Sequence, residues 1–186
     1  FLKKGSTVST VLPFLLYERN MPVEYRTIYP SPLGELTLAS DGTALTGLWI
    51  RGQKYFGGSA KLWEVKDDLP VFAAAGRWLD DYFAGEETDP EDLPLAPAGT
   101  EFQQTVWQAL RNIPYGTTVT YGELAGRIGC GSARAVGAAV GRNPISIIIP
   151  CHRCVGAKGG LTGYAWGLER KHWLLDHEHT KGAERK

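Results

Sequence analysis

Two of the chain's three cysteines, Cys151 and Cys154, stand three residues apart in Ile147-Ile148-Ile149-Pro150-Cys151-His152-Arg153-Cys154. Three chemistries fit that spacing. A redox pair has C-x-x-C spacing, but a thioredoxin-like strand-motif-helix unit is missing around it. A metal site would need two further ligands, and no second C-x-x-C or close His pair follows, so Cys130 and one His would have to complete it. A nucleophile is the third possibility. A thiol reacts as its thiolate and needs a base or a positive environment, and His152 and Arg153 follow Cys151 directly. The ordinary alternative for any one cysteine is a buried structural residue, and Pro150 before it with two ionisable residues after it fits that alternative poorly.

The elements that must position these residues fall into two groups. From Val23 to Ile50 the pattern alternates as strands do, with a turn at Pro30 to Gly34 and a hairpin signal at Asp41-Gly42. Residues 70–84 place Phe72, Ala75, Trp78, Leu79, Tyr82 and Phe83 on one helical stripe, and Gly85 stops the helix. Residues 89–99 are rich in proline and acidic residues and read as a linker. Beyond it Phe102, Val106, Trp107 and Leu110 share a helix face. Thr120 with Glu123 makes a capping box for a helix of about Tyr121 to Ile128, and Ser132 offers an N-cap for a second helix from Ala133 to Arg142. Two short helices joined by a glycine turn form a possible helix-turn-helix. The second helix is nearly bare: Ala133, Ala135, Gly137, Ala138 and Ala139 suit either tight internal packing or close approach to another backbone. Ile145 to Ile149 reads as a short buried strand. A glycine-rich loop, Gly156 to Gly167, precedes a last helix from Leu168 to about Glu178 with Trp173, Leu174 and Leu175 inward.

The expected fold is therefore α/β in the α+β sense: a small strand-rich domain over 21–88, a linker over 89–99, and a mainly helical domain over 100–180. Residues 1–20 precede the only methionine, Met21, and are expected to be an upstream extension or an appended segment, with the native product beginning at Met21. Three cysteines in 186 residues disfavour a secreted disulfide framework and favour a reducing, cytoplasmic setting. No apolar run approaches the roughly 20 residues of a membrane span, so no membrane partner is expected. The formal net charge is zero, yet residues 1–100 carry nine Lys and Arg against fourteen Asp and Glu, and residues 101–186 carry eleven against six. The second half can therefore present a basic face to a polyanion.

The stretch from Asn143 through Pro150-Cys151-His152-Arg153 to Val155-Gly156 resembles the signature of the methylated-DNA–protein-cysteine methyltransferases, the O6-alkylguanine-DNA alkyltransferases. The resemblance runs in order from Phe102-Gln103-Gln104 through Ile113-Pro114-Tyr115-Gly116, Thr120-Tyr121-Gly122-Glu123 and Ala133-Arg134-Ala135-Val136-Gly137 to Gly163-Tyr164 and Gly167-Leu168-Glu169-Arg170-Lys171. Ser31-Pro32-Leu33-Gly34 resembles the family's smaller domain. The resemblance implies a stoichiometric repair enzyme that binds double-stranded DNA containing O6-alkylguanine and takes the alkyl group onto Cys151. It implies His152 as the base through a water, Glu178 as its orienting partner, Tyr121 as the residue that helps rotate the nucleotide, and Asn143 as the brace of the active-site turn. DNA contacts fall on Ser132, Ala133, Arg134, Ala135, Gly137 and Arg142 at the minor groove, with Arg134 filling the gap left by the flipped base. Tyr164, Ala165, Trp166 and Cys154 would line the substrate pocket.

Cys154 departs from the family's usual valine, which makes a Cys151–Cys154 disulfide conceivable, and Trp166 replaces a glycine seen in many relatives. The N-terminal half has no cysteine, so the zinc site of some relatives is absent, and neither metal nor cofactor is expected. A monomer is expected. Two rivals stay distinct: a base-flipping lesion sensor, which lacks the nucleophile, and a redox or zinc protein, which would depend on Cys154.

Overall fold

The computed structural model describes residues 23–57 and 63–184, so the segment 1–20 lies outside the described residues. The alternating sequence becomes three antiparallel strands, β1 (Glu24–Ser31), β2 (Gly34–Ser40) and β3 (Leu45–Ile50). The first turn is shorter than expected. β1 continues through Pro30 and Ser31, and Ser31 pairs with Gly34, whose φ of 111° closes the corner. Pro30 is tolerated there because β4 (Trp63–Val65), a parallel neighbour that the sequence pattern does not announce, pairs only with Glu24 to Arg26. The sheet order is β3-β2-β1-β4. Asp41 builds the second turn, its Oδ1 accepting from the Thr43 and Ala44 N–H groups at 2.8 and 2.9 Å.

Helix α1 (Pro70–Ala84) starts on proline and ends at left-handed Gly85, as its sequence demands. It buries Phe72, Ala75, Trp78, Leu79 and Tyr82 in the cluster that holds Leu36 and Leu38 of β2, while Phe83 is only half-buried. The opposite face of the sheet is also covered: Thr37 sits across from Trp49 in the β2–β3 register, and Trp49 stacks on Trp63 at 5.9 Å. That explains a buried threonine where simple alternation would leave it exposed.

The second half is helical. Helix α2 (Glu101–Arg111) opens on a Thr100/Gln103 capping box. Strand β5 (Val119–Thr120) leads into helix α3 (Tyr121–Arg127), whose Thr120/Glu123 box closes at 2.6 and 3.1 Å. Helix α4 (Ala133–Val140) is capped by Ser132 and ends two residues earlier than expected, at Gly141. β6 (Cys154–Val155) lies parallel to β5, and helix α5 (Leu168–Glu184) runs longer than its apolar pattern suggested. Among the described residues no helix is long and apolar enough to cross a membrane.

The free edge of β3 joins the two halves. The Leu45 N–H donates to Pro94 at 2.8 Å and Leu45 O accepts from Ala96 at 2.7 Å, so the stretch after α1 is stitched to the sheet. Further along, the Leu48 N–H donates to Pro144 at 2.8 Å and Leu48 O accepts from Ser146 at 3.3 Å. A sheet edge is thereby closed against the segment that leads into Cys151. Ile145 to Ile149 is not the expected strand: only Ile145 bridges to Leu48, and a buried turn follows in which Ile147 takes φ 70°. A β-branched residue rarely adopts that conformation, and it persists here because the turn is pinned on both sides.

Replacing Thr120 by Ala removes the side-chain acceptor for the Glu123 N–H and should lower folding stability by about 1 kcal/mol, measured by urea denaturation. An unchanged midpoint would show that the cap adds nothing.

Candidate active site

The site is built on α5. Of the expected inward group Trp173-Leu174-Leu175, Leu174 and Leu175 are buried and Trp173 is not. Trp173 is 37% exposed and stacks on His177 at 5.0 Å, whereas Lys171, Leu174 and Glu178 are each 0% exposed. The face is set by helical spacing, and two of its three members are charged. A buried charge has to be met by partners, and the partners of Glu178 define the site.

Glu178 gathers donors from four residues on three separate segments. Its Oε1 lies 2.7 Å from His152 Nε2 and accepts from Tyr82 OH at 2.9 Å and Arg153 Nη2 at 3.1 Å. Its Oε2 accepts from Arg153 Nε at 2.9 Å and from the Gly116 N–H at 3.0 Å. Burial alone would push this carboxyl up, but His152 and Arg153 outweigh it and hold Glu178 well below the usual carboxylate range. Burial pushes the His152 imidazole down from its ordinary 6.5, against the pull of Glu178. The neutral ring then keeps its proton on Nε2, facing the carboxylate, and Nδ1 carries a lone pair with no hydrogen-bond partner among the described residues. A fixed tautomer with a free Nδ1 is the arrangement a general base needs.

Arg153 is not where its place after Cys151 suggested. Its guanidinium turns away to Glu178 and to Ile113 O, at 2.6 Å, and stacks on Tyr115 at 5.6 Å. The positive charge beside the sulfur belongs to Lys171, which sequence reading did not single out as a site residue. Its Nζ donates to Cys154 O at 2.5 Å and Thr162 O at 3.1 Å, and its charge pulls the Cys151 thiol down. An ionisable residue on the same helical spacing as Leu174 and Glu178 was the available signal.

Cys151 begins a single 3₁₀ turn, Cys151–Arg153, and is 4% exposed. Burial pushes its thiol above the ordinary value of 9, and Asn143, Lys171 and Ser146 oppose that push. Burial thus favours the neutral thiol, which has to hand its proton on. Asn143 sits in the preceding turn, its Nδ2 donating to Ile149 O at 2.8 Å and its Oδ1 accepting from the Ile145 N–H at 3.0 Å. All three cysteines are free thiols.

A cavity of about 610 Å³ lies between α4 and the 162–165 loop. Tyr121, Ala133, Arg134, Gly137, Arg142, Tyr164 and Ala165 line it. Tyr121 and Tyr164 both sense charge at Cys151 and stand between the cavity and the thiol, burial holding Tyr121 up at about 12. The Tyr121 hydroxyl donates to Thr162 O at 3.2 Å, tying α3 to the loop. Four expected residues lie off the cavity wall. Ser132 is occupied as the α4 cap and Ala135 is half-buried. Trp166, 2% exposed, and Cys154, 0% exposed, are packed inside. Two residues that sequence reading missed do line it, Lys54 and Tyr55 of the strand-rich half. The Arg142 guanidinium and the Lys54 ammonium each lie 5.0 Å from the Tyr55 ring centre. No local motif marks this loop, since only the fold brings it to α4.

A buried cysteine followed by a His-Glu pair, near a cavity walled by two short helices, is an arrangement suited to nucleophilic thiol chemistry. The chain matches the family described as 6-O-methylguanine DNA methyltransferase in both parts, the ribonuclease-like domain over residues 25–97 and the DNA binding domain over 101–180. It is 49% identical over 159 residues to the methylated-DNA–protein-cysteine methyltransferase of Haemophilus influenzae, covering 85% of this chain and 88% of the relative. It is 51% identical over 160 residues to that of Mycobacterium tuberculosis, covering 86% and 94%. The fold matches the crystal structure of Mycobacterium tuberculosis OGT in complex with DNA, with a TM-score of 0.74 and 46% identity over 86% of this chain and 94% of that one. It also matches the O6-methylguanine-DNA methyltransferase of Pyrococcus kodakaraensis, with a TM-score of 0.62 and 26% identity over 83% and 98%. The chain belongs to the methylated-DNA–protein-cysteine methyltransferases, enzymes that repair DNA by direct alkyl transfer.

The buried charges set the pH response of folding. Glu178 is depressed in the folded state, so its stabilisation is complete above the unfolded value near 4.5 and is lost as pH falls through and below it. His152 is also depressed, so below about 6.5 the unfolded chain takes up a proton that the folded chain refuses, and stability falls there too. Unfolding free energy should therefore decline from neutrality towards acid, in steps beginning near these two values. Denaturant titrations from neutral to acid pH check it, and a flat profile contradicts it. Glu178→Gln leaves Arg153 without its counter-charge and should cost about 3–5 kcal/mol.

Proposed function

We propose that this chain removes alkyl groups from guanine O6 in duplex DNA by a single in-line transfer to Cys151. The observation that carries this reading is the His152 ring, fixed through Nε2 by Glu178 and leaving Nδ1 unpartnered, in the residue that directly follows the buried Cys151. The neutral thiol passes its proton to His152, by way of a water, while Glu178 balances the imidazolium that forms. The sulfur lone pair forms the S–C bond, the C–O6 bond breaks, and its electron pair goes to the guanine. Tyr121, at the cavity wall, supplies a proton to the purine as charge develops there and is reprotonated through water by the proton that His152 took, so the net movement is one alkyl group to sulfur and the thiol's proton to guanine. A thioether is not reopened by water, so each molecule acts once.

Chemistry on a stacked base requires its removal from the duplex, at a few kcal/mol. The small residues of α4 support close approach to a minor groove, with Arg134 at the cavity mouth to occupy the gap. Lys54 and Tyr55 extend the same surface onto the strand-rich half, and Tyr55 holds Arg142 in place for a phosphate. We divide the chain accordingly into a supporting part ending near residue 88 and a DNA-binding, reacting part from near residue 100, acting as one monomer.

Incubation with a duplex carrying one O6-methylguanine should place one methyl group on the Cys151 peptide, as seen by peptide mass. Cys151→Ala should abolish transfer and Cys154→Ala should retain it. Methyl on Cys130 or Cys154 alone, or dependence on Cys154, overturns the assignment.

Arg134→Ala should slow transfer from a fully paired lesion about tenfold or more, and much less from a lesion in single-stranded DNA, because its role concerns extrusion. Arg142→Ala should weaken damaged and undamaged duplex alike and lower the salt slope of binding by about one. Single-turnover kinetics and salt titrations read these two effects separately.

A further inference from the structure

Tyr82 belongs to α1, in the strand-rich half, and is separated by 96 residues from the carboxylate it touches. Its side chain is 0% exposed, and its hydroxyl donates to Glu178 Oε1 at 2.9 Å, the same oxygen that faces His152 Nε2 at 2.7 Å. Packing alone does not call for a hydroxyl here. The ring is already held between Trp78, stacked at 5.7 Å and 5°, and the edges of Phe83 and Tyr115 at 5.4 and 6.0 Å. Its backbone is fixed as well, since Tyr82 O lies 2.8 Å from His177 Nε2. The phenol thus delivers one hydrogen bond, from a rigid mount, to one oxygen.

We infer that Tyr82 is a positioning residue of the transfer reaction, through which the strand-rich half sets the basicity of His152. The inference rests on the reading of His152 as the base that accepts the Cys151 proton. A carboxylate shares its charge among its donors, and each donor reduces what it offers the others. With Tyr82 on Oε1, Glu178 orients the imidazole yet attracts its proton less strongly, and His152 stays neutral and able to accept. Without that hydroxyl Oε1 is left to His152 and Arg153, so it draws the imidazole proton more strongly, and the ring protonates more readily and closes Nδ1 to the thiol. The other charged and titratable groups around this pair stay in place: Arg153 on the fork of Glu178, Lys171 from α5, and the neutral Cys151 thiol. Tyr115 adds a second phenol near Tyr82, whose own proton is held firmly by burial and by the Glu178 charge.

Tyr82→Phe keeps the ring and removes only the oxygen. Single-turnover methyl transfer from an O6-methylguanine duplex, followed against pH, should show the acid limb displaced to higher pH. The variant should be about threefold to tenfold slower below neutrality, with the gap narrowing towards alkaline pH, the size of effect expected for one ordinary hydrogen bond. Nitrogen-15 spectra of the His152 ring should titrate at higher pH in the same variant. The opposite change tests the sign without removing the bond: 3,5-difluorotyrosine at position 82 is a stronger donor and should move both the acid limb and the imidazole titration to lower pH. If either substitution leaves both curves in place, or if Tyr82→Phe lowers the rate equally at every pH with the imidazole unchanged, Tyr82 is structural only and the inference is overturned. Failure of the underlying reading looks different, because the unaltered protein would then show no acid limb that follows the His152 titration.

Discussion

A carboxylate buried at 0% exposure cannot remain ionised unless donors surround it, and Glu178 has them from α1, from the Gly116 turn, and from both His152 and Arg153. That requirement organises the molecule. To satisfy one side chain on α5, the strand-rich half has to dock, the 113–116 turn has to close, and the 3₁₀ turn after Pro150 has to face inward. Removal of a single partner leaves a charge in the core, whereas a hydrophobic replacement of the whole group would cost little or nothing in stability. The network therefore contributes definition more than it contributes free energy. It fixes a ring tautomer, and the tautomer determines which nitrogen can accept a proton.

The backbone applies a second constraint to the same place. β3 ends its sheet, and its open edge is closed by residues 94–96 at one end and 144–146 at the other. The second closure clamps the turn in which Ile147 has φ 70° and which Asn143 holds from inside. A nucleophile carried on a strained, doubly pinned turn has little freedom to move, which keeps Cys151 in register with His152. The strand-rich half thus reaches the chemistry by two routes, a sheet edge behind the sulfur and a phenol behind the base.

Much of this is legible in the residues because it is local. The Thr120/Glu123 box, the Ser132 cap, the proline start and glycine stop of α1, and the Asp41-Gly42 turn are all decided within a few positions, and each forms as read. Cys151, His152 and Glu178 were nameable through resemblance, and the structure brings them together. What was not legible depends on distant partners. β4 exists only because β1 offers it an edge, and the apolar run Ile145 to Ile149 looks like a strand until Asn143 and Leu48 bend it into a turn. Lys171 takes the place expected of Arg153 because backbone geometry, not adjacency in sequence, decides which cation influences the sulfur. Lys54, Tyr55 and Tyr82 carry no motif, and their place near the site follows from how the two halves dock.

Burial and access make opposing demands on the sulfur. A thiol at 4% exposure, pushed up by desolvation, is a poor nucleophile towards anything met by chance in solution. For a reagent that acts only once, that inertness is an advantage, since a thiol spent on another electrophile is a repair lost. Tyr121 and Tyr164 line the cavity and lie within electrostatic reach of Cys151. In the proposed reaction a planar purine would enter between α4 and the 162–165 loop, meet these rings first and exclude water. Exclusion of water strengthens the field of Lys171 at the sulfur and of Glu178 at the imidazole, so the thiol becomes easier to ionise when its target is in place. On this view the specificity of the reaction lies less in the reactivity of Cys151 than in the small set of flat, extrahelical groups able to reach it.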